Sequence, residues 1–143
     1  MHVARLDHFV LTVADINSTI RFYTEVLGMQ AQTFGGGRQA LRFGDSKINL
    51  HQVGHEFEPK AVHPTPGSAD LCLIVDDPLE AVTEHLNAHG VAIVEGPVQR
   101  TGALGTIRSV YLRDPDANLV ELSGRCSPIA HAGVSVSTGS RFR

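Results

Sequence analysis

One order of elements reads twice along this chain, and that repetition constrains its fold more than any other feature. Leu6 to Val13 alternates as a strand does. Asp15 then caps a helix whose apolar residues Ile16, Ile20, Tyr23 and Leu27 fall on one stripe, and Gly28 ends it. Three short strands follow, Met29 to Phe34, Arg38 to Phe43 and Lys47 to Val53, joined by Gly35-Gly-Gly37 and Gly44-Asp-Ser46, which are hairpin chemistry. Residues 54 to 68 form a linker, because His63-Pro-Thr-Pro-Gly-Ser68 continues neither a helix nor an interior strand. The order then recurs. Asp70 to Val75 is a strand, and Asp77 caps a second helix with Pro78 at its first position and Glu80 closing a capping box. Leu79, Val82 and Leu86 make its stripe, and Gly90 stops it. Ala92 to Glu95, Ile107 to Arg113 and Leu119 to Ser123 supply three more strands. The fold class expected is α+β: two βαβββ modules, 5–53 and 69–124, forming a curved mixed sheet around a cup with helices outside. They make one domain over 1–124. Residues 125–143 are read as a flexible tail, with a possible edge strand at Val134 to Val136.

Bulk properties exclude several function classes. The 143 residues carry a net charge of −3. That gives no electrostatic footprint for nucleic acid or an anionic membrane. No apolar run approaches the roughly 20 residues of a membrane span, and no signal-peptide core is visible. Cys72 and Cys126 make no disulfide framework. A reducing cytoplasm is the expected setting.

The polar residues inside strands point to chemistry. Glu121 sits among Leu119, Val120 and Leu122. A carboxylate buried there without a partner costs several kcal/mol. His8 and His51 also lie mid-strand in apolar surroundings. Alternation puts Phe9, Leu11 and Val13 on a helix-packing face and His8 on the opposite one; the same rule separates His51, Asp70 and Glu121 from the helix-packing residues of their strands. Two imidazoles and a carboxylate converging from separate strands make a metal-site pattern. The plain alternatives are a rim histidine for each imidazole, an ion pair with Arg108 or Arg113 for Glu121, and a linker-terminating role for Asp70. His85 and His89, spaced i, i+4 on the second helix, have no evident third ligand and read as a solvated face. Gly35-Gly-Gly37 joins two strands, so it is a turn and no phosphate cradle.

Leu6-Asp-His-Phe-Val-Leu-Thr-Val13, Arg21-Phe-Tyr-Thr-Glu-Val-Leu-Gly-Met29 and Arg113-Asp-Pro-Asp-Ala-Asn-Leu-Val-Glu-Leu-Ser123 resemble the vicinal oxygen chelate superfamily of glyoxalase I, bleomycin-resistance proteins and extradiol dioxygenases. Phe43 to His51, Gly54 to Lys60 and Gly96 to Gly102 resemble its small glyoxalase-domain-containing proteins. The resemblance implies metal ligands on the first and fourth strands of each module: His8, His51, Asp70 and Glu121. Relative to glyoxalase I, the residue types at the places of His51 and Asp70 are exchanged. It further implies a lyase acting on a thiol adduct of a 2-oxoaldehyde such as the methylglyoxal hemithioacetal, a divalent ion (Ni, Zn, Co or Mn), and a proton carried by Glu121 or Asp70. Two other readings stay open. One is an Fe(II) extradiol-type dioxygenase on His8, His51 and Glu121, with Tyr111 as its acid–base candidate; the other is a non-catalytic binder of a small molecule. The partners expected are a small-molecule substrate such as a glutathione adduct, and a second copy of the chain in a homodimer, with the cup formed within a chain or across the dimer.

Overall fold

A computed structural model of the chain describes residues 1–126. The first module comprises β1 (His8–Val13), α1 (Ile16–Glu25), β2 (Gln30–Phe34), β3 (Arg38–Phe43) and β4 (Ser46–Gln52). The second comprises β5 (Asp70–Ile74), α2 (Leu79–Ala88), β6 (Glu95–Gly102), β7 (Gly105–Arg113) and β8 (Leu119–Arg125). The expected α+β architecture is present, and its strands fall into two four-stranded sheets, one per module. Their orders are β1-β4-β3-β2 and β5-β8-β7-β6. In each, the first and last strands of the module run parallel and the others antiparallel. Among the described residues no helix is long and apolar enough to cross a membrane.

Local chemistry accounts for most boundaries. Asp15 is extended and its carboxylate accepts from the Asn17 amide at 2.9 Å and the Ser18 hydroxyl at 3.1 Å, so two polar groups at the start of α1 are satisfied. Gly28 takes φ +69°, the left-handed conformation that lets the chain leave that helix. Two boundaries differ from expectation. Pro78 is itself the N-cap of α2 and offers no side-chain acceptor, so the expected capping box does not form. The sixth strand runs over Glu95–Gly102 rather than ending at Glu95. It is an edge strand of largely exposed residues, so it lacks the apolar alternation that marks half-buried strands. Its Pro97 falls in a register shift between Glu95 and Val98, where no ladder donor is required. The expected edge strand at Val134 to Val136 lies outside the described residues.

The core has two lobes that share side chains. Val13, Tyr23, Leu41 and Ile48 are fully buried in the first; Leu86, Val110, Leu112 and Val120 are fully buried in the second. Phe22, Leu27 and Leu73 pack against both. The turn before β8 ties the modules together. Asp114 Oδ1 accepts from the amides of Asp116 and Asn118, both at 2.9 Å. Its Oδ2 accepts from Asn118 Nδ2 at 2.8 Å and from the Tyr23 hydroxyl at 2.7 Å, reaching across to α1. Asn118 Oδ1 accepts from the Ala69 amide at 2.8 Å, and Asp116 accepts from the Ala14 amide. The segment that begins β8 is thus anchored to the end of β1, to α1 and to the start of β5 before Glu121 is reached.

Candidate functional site

The strand registers define what each sheet presents on the face away from the helices. In the first sheet His8 lies opposite Lys47, Val10 opposite Asn49 and Thr12 opposite His51. In the second, Asp70 lies opposite Leu119, Cys72 opposite Glu121 and Ile74 opposite Ser123. Aligned at the first residues of β1 and β5, the two parallel pairs match step for step. His8 therefore corresponds to Asp70, and the counterpart of Glu121 is Asn49. His51 corresponds to Ser123, one same-face step further on.

This correspondence makes two half-sites. His8 and Asn49 are diagonal neighbours in one, Asp70 and Glu121 in the other, each pair offset by two residues or roughly 7 Å along the strand. His51 is offset from His8 by four residues, roughly 13 Å. Among the described residues of a single chain, no three His, Cys, Asp or Glu side chains converge as a metal cluster. His8, His51 and Glu121 thus do not meet within one chain.

Each half-site has supporting contacts. His8 Nδ1 donates to Asp7 Oδ1 at 2.7 Å, which leaves the Nε2 lone pair free to bind a cation. That bond holds the Asp7 carboxyl below its ordinary pKa. Asn49 Oδ1 is buried and has no hydrogen-bond partner among the described residues. An orphaned amide oxygen is costly, and a cation would satisfy it. Glu121 Oε2 accepts from the Ser109 hydroxyl at 2.6 Å and the Ser123 hydroxyl at 3.2 Å. The two serine oxygens lie 2.7 Å apart, so the single Ser123 proton goes either to Ser109 Oγ or to Glu121, and Cys72 Sγ lies 3.2 Å from the Ser123 hydroxyl. Burial opposes ionisation of Glu121, but donation from Ser109, Tyr111, Ser123 and Cys72 outweighs it, so its pKa falls below the ordinary value. Glu121 is therefore an ionised carboxylate with one oxygen tethered. Burial pushes the neighbouring Cys72 thiol up, and the Glu121 charge adds to that, keeping it protonated.

His51 has a different setting. It is buried against the edge of Phe57, with ring centroids 5.5 Å apart at 69°. The Arg38 guanidinium lies 4.4 Å above that same phenyl ring. Burial and then the Arg38 charge lower the His51 pKa, so its imidazole is neutral near pH 7. It opens onto a cleft of about 450 Å³ walled by Val10, Thr12, Lys60, His63 and Pro64.

Sequence reasoning passed over Asn49, Asp7 and Ser109. The signal for Asn49 was present, since Ile48-Asn-Leu50 repeats the Val120-Glu-Leu122 pattern at the same place in the module. Its neutral amide gave no charge to account for, and His51 two residues on drew the assignment. Ser109 pairs with Ser123, which no spacing in the sequence reveals.

Comparison with known proteins agrees with this architecture. The family model described as Glyoxalase/Bleomycin resistance protein/Dioxygenase superfamily matches residues 5–122. The chain belongs to that superfamily. It is similar to Virulence protein STM3117 of Salmonella typhimurium, with 60% identity over 123 residues, covering 86% of this chain and 85% of the relative. The crystal structure of that Salmonella protein aligns with a TM-score of 0.87, covering 88% of this chain and all of the other at 59% identity. Glyoxalase domain-containing protein RDO1 of Mycosarcoma maydis is 57% identical over 86% of this chain and 69% of its own length. A probable lactoylglutathione lyase of Vibrio parahaemolyticus is 26% identical, covering 85% of this chain and 91% of its own length.

Proposed function

We propose that this superfamily member is a metal-dependent lyase acting on the thiol adduct of a 2-oxoaldehyde, with Glu121 as the proton carrier. The observation that carries the reading is the Glu121 carboxylate, ionised and held on the face away from the helices by the Ser109 hydroxyl on one oxygen, with Ser123 beside it. The similarity to a probable lactoylglutathione lyase supports the reaction class.

The donor chemistry fits a divalent ion. His8 offers an imidazole nitrogen oriented by Asp7, Asn49 an unpartnered amide oxygen, and Asp70 and Glu121 carboxylates. This modifies the expected set of His8, His51, Asp70 and Glu121, because Asn49 holds the register position equivalent to Glu121. Each sheet supplies only a pair, so a second copy of the chain completes the site, with His8 and Asn49 of one protomer facing Asp70 and Glu121 of its partner. A homodimer follows from that requirement. A bound ion, such as Ni, Zn, Co or Mn, supplies Lewis-acid stabilisation of developing negative charge.

The residues of the chain do the rest. Glu121 takes the C1 proton of the adduct and returns it at C2, converting a hemithioacetal into a thioester without net oxidation. Ser109, with Ser123 beside it, holds Oε2; Oε1, which would hold the ion at rest, would leave it to move between these carbons. Asp70, exposed at the start of β5, shares the face and is the alternative carrier. The test is turnover of methylglyoxal with glutathione by the metal-loaded protein beside Glu121→Gln. The variant is expected to lose about 10²–10⁴ in kcat while remaining folded. Absence of turnover by the wild type with any of these ions would remove the proposal.

A further inference from the structure

A second cleft lies between the two modules, on the helix side of the sheets. Leu27, Met29 and Phe43 of the first module form one wall, and Leu73, Val82 and Leu122 of the second form the other. Leu73 and Leu122 alternate with Cys72 and Glu121 along their strands, so the cleft opens on the reverse of the face that bears the Glu121 carboxylate. Its volume is about 470 Å³, within the range of roughly 300–1,000 Å³ found for small-molecule sites. Leu27 and Leu73 pack against both lobes of the core yet stay half-buried beside this gap.

The mouth of the cleft is negative. The C-terminal end of α1 borders it with Glu25 and Gly28, and Asp77 borders it from the other module. A helix C-terminus carries about half a negative charge, and Glu25 adds a full one where a cation is favoured. No basic residue occupies the last turn of α1. Neither Glu25 nor Asp77 has an ion-pair partner among the described residues, and no Lys or Arg among them lines the cleft. Asp77 precedes α2, whose N-terminal dipole offsets part of its charge, so the uncompensated end of the mouth is at Glu25. His85 also borders the mouth, but its Nε2 proton is already donated to the Val26 carbonyl at 2.6 Å.

We propose that this inter-module cleft binds a small amphiphilic cation, with an apolar body between Leu27, Leu73 and Leu122 and a protonated or quaternary amine at Glu25. The apolar walls supply most of the affinity, and the mouth selects the sign of the charge. An anion there would meet Glu25, Asp77 and the terminal carbonyls of α1 together. The site lies apart from the proposed lyase centre and does not depend on that reading.

The experiment is an NMR titration of the isotope-labelled full-length chain. Benzyltrimethylammonium is the probe, benzyl alcohol its neutral counterpart and phenylacetate the anion. The cation is expected to shift the amides of Gly28, Met29 and Val75 saturably, and its ring protons to show NOEs to the methyl groups of Leu27, Leu73 and Leu122. Benzyl alcohol should bind at the same place more weakly, and phenylacetate should leave these amides unmoved. Ala81→Trp, which fills the cleft from an exposed position on α2, should weaken the cation about tenfold or more. Glu25→Gln should weaken it about two- to fivefold and leave benzyl alcohol unchanged, while Glu58→Gln in the linker should alter neither. NOEs to another part of the chain, benzyl alcohol or phenylacetate binding as tightly as the cation, or cation affinity unchanged in Ala81→Trp or in Glu25→Gln would overturn the proposal. So would shifts of Gly28 and Val75 that grow with protein concentration in the absence of probe, since a second copy of the chain would then be the occupant.

Discussion

Tyr23→Phe isolates one buried bond between the modules. The Tyr23 ring is fully buried and its hydroxyl donates to Asp114 Oδ2 at 2.7 Å. Burial, followed by the Asp114 charge, raises the phenol pKa above its ordinary value, so the group is a donor at every working pH. Removing only the oxygen keeps the ring and its edge contact with Phe22 at 5.2 Å. The loss is one hydrogen bond to a charged acceptor, worth about 1.5–3 kcal/mol. Asn118 Nδ2 still serves the same oxygen, which favours the lower half of that range. Water cannot easily replace the lost donor because Asp114 is only 5% exposed. About 2 kcal/mol is expected, or a fall in Tm of roughly 5–10 °C for a chain of this size. Urea denaturation at pH 7 measures it. Tyr23→Phe combined with Asp114→Asn should cost less than the sum of the two single variants, since both break the same contact. A Tyr23→Phe loss below about 0.5 kcal/mol, or strict additivity, would refute the view that this bond helps hold the modules together.

Ser109→Ala removes the shortest donor to Glu121 and should raise that carboxyl's pKa. A folded-state pKa below the unfolded one contributes stability above the ordinary carboxyl value of 4.5 and loses it as pH falls through the folded value. The acid limb of the variant's stability curve, and of its kcat/KM profile, should therefore move to higher pH; an unmoved limb would deny Ser109 that role. Gly96→Ala should destabilise by about 2–4 kcal/mol, since φ is +108° and a Cβ would meet the Ser109 carbonyl oxygen at 2.4 Å. Thermal melts read this directly, and a loss under about 1 kcal/mol would mean the β6 bulge yields freely.

Much of the fold was legible because its determinants are local. The α1 stripe, the Asp15 cap and the glycine turns each act within a few residues, so alternation and helical spacing expose them. β6 escaped because an edge strand bearing Arg100, Gln99 and Thr101 buries too little to impose a pattern on its sequence. The carboxylate of the candidate site stood out for the opposite reason, as a charge among apolar neighbours demands an explanation. Its donors were not legible, because Ser109 and Ser123 meet only through strand pairing. His51 shows the limit of residue type as a guide. An imidazole mid-strand looks like a ligand, yet register places it beside Thr12, against Phe57, while an amide with no charge occupies the position equivalent to Glu121.

Divalent-ion stoichiometry measures the central claim most directly. Elemental analysis of the wild type should find one ion per chain after loading with nickel or zinc and desalting. His8→Ala, Asn49→Ala and Glu121→Ala should each lose it while keeping a cooperative melt. Retention of the full complement by Glu121→Ala, or no ion bound to the wild type, would contradict the account.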